Sequence, residues 1–147
     1  MKANSYLEDI VSYKPGKSKV PNGGAVIKLS SNENALGPSP KAIMTYKNYI
    51  DNLHRYHDGS CTKLRETIAK KHDINLEQIT CGAGSDEIIS LLAQAFCSKN
   101  DEIIYSKHGF LMYPISAKKV GAKAIKAEET GLKANISEII KAITDKT

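Results

Sequence analysis

Apolar side chains recur every three or four positions in several stretches of this chain, a spacing that puts them on one face of an α-helix. Shorter apolar runs alternate with these stretches and have the composition of buried strands. A helical spacing over 5–11, followed by a polar stretch, indicates an N-terminal arm. We predict strands over 25–29, 78–81, 102–105 and 122–127, and helices over 40–53, 62–72, 85–97, 110–120 and 137–143.

Strands and helices alternate in the second half of the chain, which is the pattern of βαβ units and of a largely parallel sheet. The predicted fold class is therefore α/β. A parallel sheet needs both faces covered and both edges protected, and the three or so strands after residue 78 are too few for that. With 147 residues and 41% hydrophobic content, the chain is long enough for one modest core, and we predict that it holds an incomplete α/β domain.

The segment 78–87 carries the main chemical signal. A β-prone stretch leads into Gly82 and Gly84, and Ser85 and Asp86 stand where a helix takes its first capping side chains. Free amides and the positive end of the helix dipole make such a turn suitable for a phosphate. Glu87 replaces the third glycine of the dinucleotide fingerprint, and no Gly-Lys-Ser/Thr follows. An ordinary strand-to-helix connection remains an open alternative.

The charge of the chain bears on nucleic-acid binding, and its cysteine content bears on the cellular compartment. The net charge is +5, but the lysines are interleaved with acidic residues, so we predict no nucleic-acid binding. Three cysteines at irregular spacing (Cys61, Cys81 and Cys97) indicate reduced thiols and a cytoplasmic protein. No apolar run is long enough for a bilayer, so we predict no membrane association.

Two further motifs have ordinary loop and helix-start roles as alternatives to a chemical one. His54, His57 and Cys61, with His72 as a fourth group, have spacings that would allow a metal site, but no paired Cys-x-x-Cys accompanies them. The segment 60–63 reads Ser-x-x-Lys without the companion motifs of that nucleophile pattern, so Ser60 or Thr62 is better explained as a helix cap. We predict no metal site and no catalytic residue here.

Six motifs follow one another in order along the chain. They are Leu-Ser-Ser-Asn-Glu-Asn at 29–34, Gly-Pro-Ser-Pro at 37–40, Arg-Tyr-His-Asp-Gly at 55–59, Leu-Arg at 64–65, Gly-Ala-Gly-Ser-Asp-Glu at 82–87 and Gly-Phe-Leu-Met-Tyr at 109–113. Together they resemble the opening of histidinol-phosphate aminotransferase, in the class I/II family of pyridoxal-phosphate-dependent aminotransferases, and the resemblance extends from about Tyr6 to the last residue. It implies the aspartate aminotransferase-like fold (fold type I), with an N-terminal arm and small-domain elements in 1–58 and the first part of the cofactor-binding large domain in 59–147.

The resemblance implies pyridoxal 5′-phosphate as the cofactor and gives roles to residues of this chain. Gly84, Ser85 and Asp86 would offer amides, and Ser85 its hydroxyl, to the cofactor phosphate. Phe110 would stack on the pyridine ring. Tyr56 would reach the phosphate of the other subunit, which implies a homodimer; the loop there has His57 where the family usually has proline.

On the substrate side the resemblance implies Tyr13 and the 32–34 turn, including Asn32 and Glu33, facing an amino-acid or 2-oxo-acid substrate. The family's cofactor-attaching lysine, pyridine-binding aspartate and carboxylate-binding arginine lie beyond residue 147. Lys107 is therefore interpreted as a loop lysine. The prediction is the N-terminal part of a histidine-biosynthetic transaminase, without turnover by itself. A non-catalytic remnant, or a small phosphate-binding or dimerisation module, is the first alternative, and a basic nucleic-acid-associated domain is the second.

Overall fold

The computed structural model describes residues 4–12, 14, 27–29 and 31–147. Three 3-10 turns occupy Ser5–Leu7, Ile50–Asn52 and Leu76–Gln78. The strands are β1 Glu102–Ser106, β2 Lys123–Ala127, β3 Glu129–Thr130 and β4 Lys133–Ala134. The helices are α1 Pro40–Tyr49, α2 Thr62–His72, α3 Ser85–Phe96, α4 Met112–Lys119 and α5 Ile136–Lys141.

The strands β1 and β2 pair in parallel, with Glu102 opposite Lys123 and Ser106 opposite Ala127. Helix α4 connects them and packs on both strands and on α3. This βαβ unit confirms the predicted parallel arrangement. Because both strands run the same way, their carboxyl ends meet at one edge, from which the loop to α4 and the segment after β2 both start.

The ends of helix α4 follow from its sequence. Pro114 lies in the first turn, where its missing N–H costs no intrahelical hydrogen bond. At the other end Gly121 has φ +79, its amide bonds to the Lys118 carbonyl at 3.0 Å, and the Ala122 amide reaches the Ala117 carbonyl at 3.0 Å. This pair of bonds is a Schellman motif, so the predicted stop at Gly121 is confirmed.

Two helix starts differ in how well they could be predicted. The Ser39 hydroxyl accepts the Ala42 amide at 3.1 Å, with Pro40 as the first helical residue of α1, as predicted. For α2 the expected caps were wrong. The Asp58 carboxylate accepts the amides of Ser60 at 2.9 Å and Thr62 at 2.8 Å. These bonds lower the pKa of Asp58, the one to Thr62 most of all.

The structure departs from the prediction in three elements: the arm and two of the predicted strands. The arm forms one 3-10 turn at Ser5–Leu7, and residues 27–29 are not in a strand, while 25 and 26 lie outside the described residues. Ile79 is extended, with φ −117 and ψ 120, but the segment 78–81 is not a strand, because it has no neighbouring strand to pair with among the described residues. The Ile79 carbonyl accepts a hydrogen bond from the Arg65 Nε at 3.0 Å.

The hairpin β3–β4 was not predicted. Its two-residue turn, Gly131 and Leu132, has positive φ at both positions (58° and 60°). That is the conformation of a type I′ turn, in which leucine is unusual.

The packed centre lies where α3, α4, β1 and β2 meet, and its fully buried residues are all small. Ala117 is 0% exposed and Ser116 1%, and the Ser116 hydroxyl lies 3.2 Å from that of Ser90 on α3. Large apolar side chains stay at the surface, including Phe96 at 78% exposure. Close approach of α4 to its neighbours therefore depends on small side chains.

We expect Ala117→Leu to lower the free energy of unfolding by about 1–3 kcal/mol, because the added carbons have no space in a fully buried position. Ala95→Leu, at an exposed position of α3, is the matched control and should change stability little. Urea denaturation followed by circular dichroism measures both. Equal midpoints for the two variants would show that the helix contact is not close-packed.

Candidate functional site

The turn before α3 is built on Gly84. This residue is the N-cap of the helix with φ 82 and ψ 178, a conformation that is essentially restricted to glycine, and no side chain caps the helix. Ser85 is therefore the first helical residue and not the cap that the sequence suggested. The amides of Ser85 and Asp86 belong to the first turn of a 12-residue helix, where backbone donors lack intrahelical partners.

The two glycines of the turn have different surroundings. A Cβ added to Gly84 would meet no atom within 4 Å, so the space above the helix start is open. A Cβ on Gly82 would lie 2.9 Å from both the Glu87 Oε2 and the Ile88 Cδ1. The absence of a side chain at Gly82 therefore lets α3 pack closely against the segment that precedes it. The absence of a side chain at Gly84 leaves the amides in the first turn of α3 accessible.

Glu87 fixes the shape of this turn, a role the sequence analysis missed. Its Oε2 accepts the Ala83 amide at 2.5 Å, and the Gly84 amide bonds to the Gly82 carbonyl at 2.9 Å. Glu87 is the third helical residue, a position from which a glutamate can reach the backbone before the helix, but the cap position holds Gly84, so the sequence lacks the Ser or Thr of a complete capping box. The Ala83 amide is thus occupied within the protein.

Arg65 joins α2 to the segment that enters the turn. Its Nε donates to the Ile79 carbonyl at 3.0 Å and its Nη2 to the Leu76 carbonyl at 2.8 Å. A cavity of about 370 Å³ lies beside it, lined in part by Cys61 and Cys81. Burial, followed by the neighbouring Cys81, raises the pKa of the Cys61 thiol, so this thiol stays protonated at neutral pH.

Phe110 lies in the loop between β1 and α4. Its ring is 41% exposed and makes an edge-to-face contact with Tyr113, with ring centroids 6.2 Å apart and planes at 86°. The Tyr113 amide donates to the Phe110 carbonyl at 3.1 Å. The ring therefore has one neighbour that fixes its orientation and a surface that is still open.

A polar cluster at the same sheet edge was not recognised in the sequence. The Glu129 carboxylate accepts the Ser106 hydroxyl, the His108 amide at 3.0 Å and the His108 Nδ1 at 2.7 Å. The hydrogen bond from Ser106, followed by those from His108, lowers the pKa of Glu129 to about 2. Ser106 and His108 lie 23 and 21 positions from Glu129 along the chain. Their contact with Glu129 becomes apparent only from the parallel pairing of β1 and β2.

Lys107 is paired in the same region. Its Nζ lies 2.8 Å from the Glu128 Oε2, and this hydrogen bond raises the pKa of the lysine. A lysine held protonated in this way is a poor nucleophile. This agrees with its interpretation as a loop lysine.

The structure places Tyr56, which the resemblance assigns to the cofactor phosphate of the other subunit, and the substrate-side residues Asn32 and Glu33 at the surface. Tyr56 is fully exposed, Glu33 forms a salt bridge with Lys28 at 2.5 Å, and Asn32 is exposed. Tyr13 lies outside the described residues. Within the described ranges, no hydrogen bond or salt bridge joins Tyr56, Asn32 or Glu33 to the turn at 82–86.

In the part of the chain that the structure describes, no three His, Cys, Asp or Glu side chains cluster as metal ligands. None of the described helices combines the length and the apolar character needed to cross a membrane.

Solved structures define the fold of the chain. A histidinol-phosphate aminotransferase from Sinorhizobium meliloti, solved in complex with pyridoxal-5′-phosphate, superposes with a TM-score of 0.75 at 15% identity, over 79% of this chain and 32% of that one. The architecture is therefore part of the fold type I of pyridoxal-phosphate-dependent aminotransferases.

Sequence comparison gives the family. Residues 25–147 match the model of aminotransferase class I and II, and the chain belongs to this family. Histidinol-phosphate aminotransferases from Paramagnetospirillum magneticum and Rhodopseudomonas palustris (strain TIE-1) are 43% and 45% identical over 141 and 145 residues, which is 96% and 98% of this chain. The chain spans 39% and 40% of the length of these two relatives.

The family and the cofactor complex of the S. meliloti structure support pyridoxal phosphate as the cofactor. The residues present fit the phosphate of this group. The start of α3 has no side-chain cap and the space above Gly84 is open, which is the arrangement that backbone amides need to hold a phosphate.

Glu129 gives a pH-dependent prediction. Because its pKa falls from 4.5 to about 2 on folding, its contribution to stability is complete above pH 4.5 and is lost as the pH falls towards 2. We expect Glu129→Gln to be less stable than the native chain at neutral pH, and the difference to shrink near pH 3. Urea midpoints across this range measure it. Glu66→Gln, at an exposed position of α2, is the control; a Glu129→Gln difference independent of pH would contradict the assignment.

Proposed function

We propose that this chain supplies the phosphate-binding turn and the ring-stacking loop of a histidinol-phosphate aminotransferase. The observation that carries the proposal is the open, uncapped start of α3 at Gly84. The relatives named histidinol-phosphate aminotransferase, which match nearly the whole chain at 43–45% identity, support the choice of enzyme. The reaction would exchange an amino group between histidinol phosphate and a 2-oxo acid.

The proposed roles follow from the chemistry of each group. The amides of Ser85 and Asp86, with the Ser85 hydroxyl, hold the cofactor phosphate, since they are donors at the positive end of a helix. The open side of the Phe110 ring packs against the pyridine ring and fixes its plane. When bound, pyridoxal phosphate supplies an electron-withdrawing ring that makes the substrate's amine-bearing carbon acidic. The protein residues named here bind and orient, and none of them transfers the proton.

Lys107 has no covalent role in this proposal. Its ammonium group is paired with Glu128 at 2.8 Å and its pKa is raised, whereas a lysine that attacks a carbonyl needs a neutral amine. Asp86 is likewise assigned to the phosphate end of the cofactor and not to the pyridine nitrogen.

We further propose a homodimer in which Tyr56 donates its hydroxyl to the phosphate bound by the partner subunit. The complete exposure of Tyr56 supports a role in an interface. Tyr13, Asn32 and Glu33 would face the substrate, 1–58 would form the arm and small-domain elements, and 59–147 the start of the large domain. Three free cysteines support a cytoplasmic location.

Pyridoxine 5′-phosphate tests the phosphate site without forming adducts with lysines, because it has no aldehyde. We expect calorimetry to show that it binds more tightly than pyridoxine. Gly84→Ala should weaken its binding roughly tenfold, the loss expected when hydrogen bonds to a charged group are disturbed. The added methyl group would lie above the helix start, and alanine does not tolerate the backbone conformation of Gly84.

Gly37→Ala is the matched control for this variant. Gly37 also has a positive φ, +74, and a Cβ there would meet no atom within 4 Å, so both substitutions strain an open turn. Only Gly84→Ala should affect binding of the phosphate ligand. Equal affinities for pyridoxine and its phosphate, or equal losses in the two variants, would refute the site.

The dimer proposal predicts that phosphate binding depends on protein concentration. Tyr56→Phe should weaken binding of pyridoxine 5′-phosphate only where sedimentation shows a dimer, because the hydroxyl acts across the interface. Tyr49→Phe, at another exposed tyrosine, is the control. A Tyr56→Phe effect in the monomer would show that the hydroxyl acts within one subunit.

A further inference from the structure

The Glu129 carboxylate forms several hydrogen bonds with the loop that follows β1. Both carboxylate oxygens are used: Oε1 accepts the Ser106 hydroxyl and the His108 amide, and Oε2 contacts the His108 Nδ1. The side chain is only 7% exposed, and the fully buried residues of the described chain are alanine and serine. A nearly buried carboxylate with this many donors holds its partners in a defined geometry.

These partners belong to the segment that carries Phe110. Ser106 ends β1 and His108 is two residues before the aromatic ring. The Lys107 amide extends the ladder to the Ala127 carbonyl at 2.9 Å, and the Gly109 amide bonds to the Ser106 carbonyl at 2.7 Å. A Cβ on Gly109 would lie 2.8 Å from that carbonyl, so the turn is tightly closed. The path of the chain from β1 to Phe110 is thus fixed at each residue.

We propose that Glu129 is a positioning residue for Phe110: by holding Ser106 and His108, it sets the height of the aromatic ring above the carboxyl edge of the sheet. The inference rests on the proposed function, in which Phe110 packs on the cofactor ring. Glu129 itself touches neither cofactor nor substrate. Its effect on Phe110 is transmitted through the loop that begins at Ser106. The phosphate-binding turn at 82–86 contacts the cofactor separately from this loop.

Glu128 provides a matched control. It is the adjacent carboxylate, and its substitution removes the same charge, but it pairs with the outward-facing Lys107 Nζ and is 54% exposed. The other basic side chains near the cluster are Lys107, Lys126 and His108. They are the same in Glu129→Gln and Glu128→Gln, so a difference between the variants reports the hydrogen bonds of Glu129.

The first measurement needs no ligand. Amide hydrogen exchange of residues 107–110 should become roughly tenfold faster in Glu129→Gln, the effect of losing one charge-assisted hydrogen bond, and stay unchanged in Glu128→Gln. Ser106→Ala, which removes one donor and leaves the carboxylate, should give a smaller increase and serves if Glu129→Gln does not fold. Equal exchange rates in Glu129→Gln and Glu128→Gln would overturn the proposal. If Glu129→Gln does not fold, the absence of any increase in Ser106→Ala would overturn it.

The second measurement separates positioning from stability. In NMR spectra of bound pyridoxine 5′-phosphate, the Phe110 ring should shift the pyridine ring proton. Glu129→Gln should reduce this shift while changing the dissociation constant less than about threefold, because the phosphate contacts persist. Phe110→Leu should abolish the shift without changing exchange in the loop. An unaltered shift of the pyridine proton in Glu129→Gln would refute the inference. Failure of the native chain to bind pyridoxine 5′-phosphate would refute the proposed function. In that case the exchange rates alone would test whether Glu129 orders the loop.

Discussion

The parallel pairing of β1 and β2 is the interaction on which the rest of this structure depends. It brings the carboxyl ends of two strands to one edge, and the loop after β1 and the segment after β2 become neighbours there although about twenty residues separate them. Small side chains on α4 allow the crossover helix to lie close to both strands. Without this pairing Glu129 would have no contact with Ser106 or His108, and Phe110 would lie on an unconstrained loop.

The proposed phosphate site relies on backbone donors more than on net charge. Asp86 and Glu87 put two acidic residues in the first turn of α3, and they complement the helix dipole as an anion would. Glu87 is committed to the Ala83 amide, which fixes the turn and leaves the amides of Ser85 and Asp86 for a ligand. A dianion held here is recognised by the direction of hydrogen bonds. This explains why the +5 charge of the chain was a weak guide to the ligand.

The sequence predicted the elements whose signals are local. The Ser39-Pro40 start of α1, the Gly121 end of α4 and the parallel strands were all recognised, because caps, left-handed glycines and alternating strands and helices leave their mark within a few residues. The strand predicted over 78–81 was wrong for a non-local reason, because this segment has no neighbouring strand to pair with among the described residues. The Asp58 cap of α2 and the Gly131-Leu132 turn are local features that were not recognised, and a leucine at positive φ is an unusual turn residue.

The same distinction applies within the candidate site. Gly84 and the open start of α3 were predicted, since a glycine-rich turn before an amphipathic helix is a local pattern, although Gly84 is the cap in place of Ser85. The Glu129 cluster was missed because its members are 21 to 23 positions apart. For Tyr56, Asn32 and Glu33 only the resemblance suggested a role, and their exposed positions show no local contact that would produce one.

The distribution of apolar surface links the fold to the proposed enzyme. Helix α3 exposes Leu92 and Phe96 at 53% and 78%, and these side chains border an apolar cavity of about 380 Å³ between α3, β1 and α4. Leaving such surface in water is unfavourable by roughly 25 cal/mol per Å², so covering this face would stabilise α3. Its other functional end, at Gly84, is open and polar. Helix α3 therefore combines an apolar face that is largely exposed with a first turn that no side chain caps, so the two ends of this helix differ in the chemistry that they present.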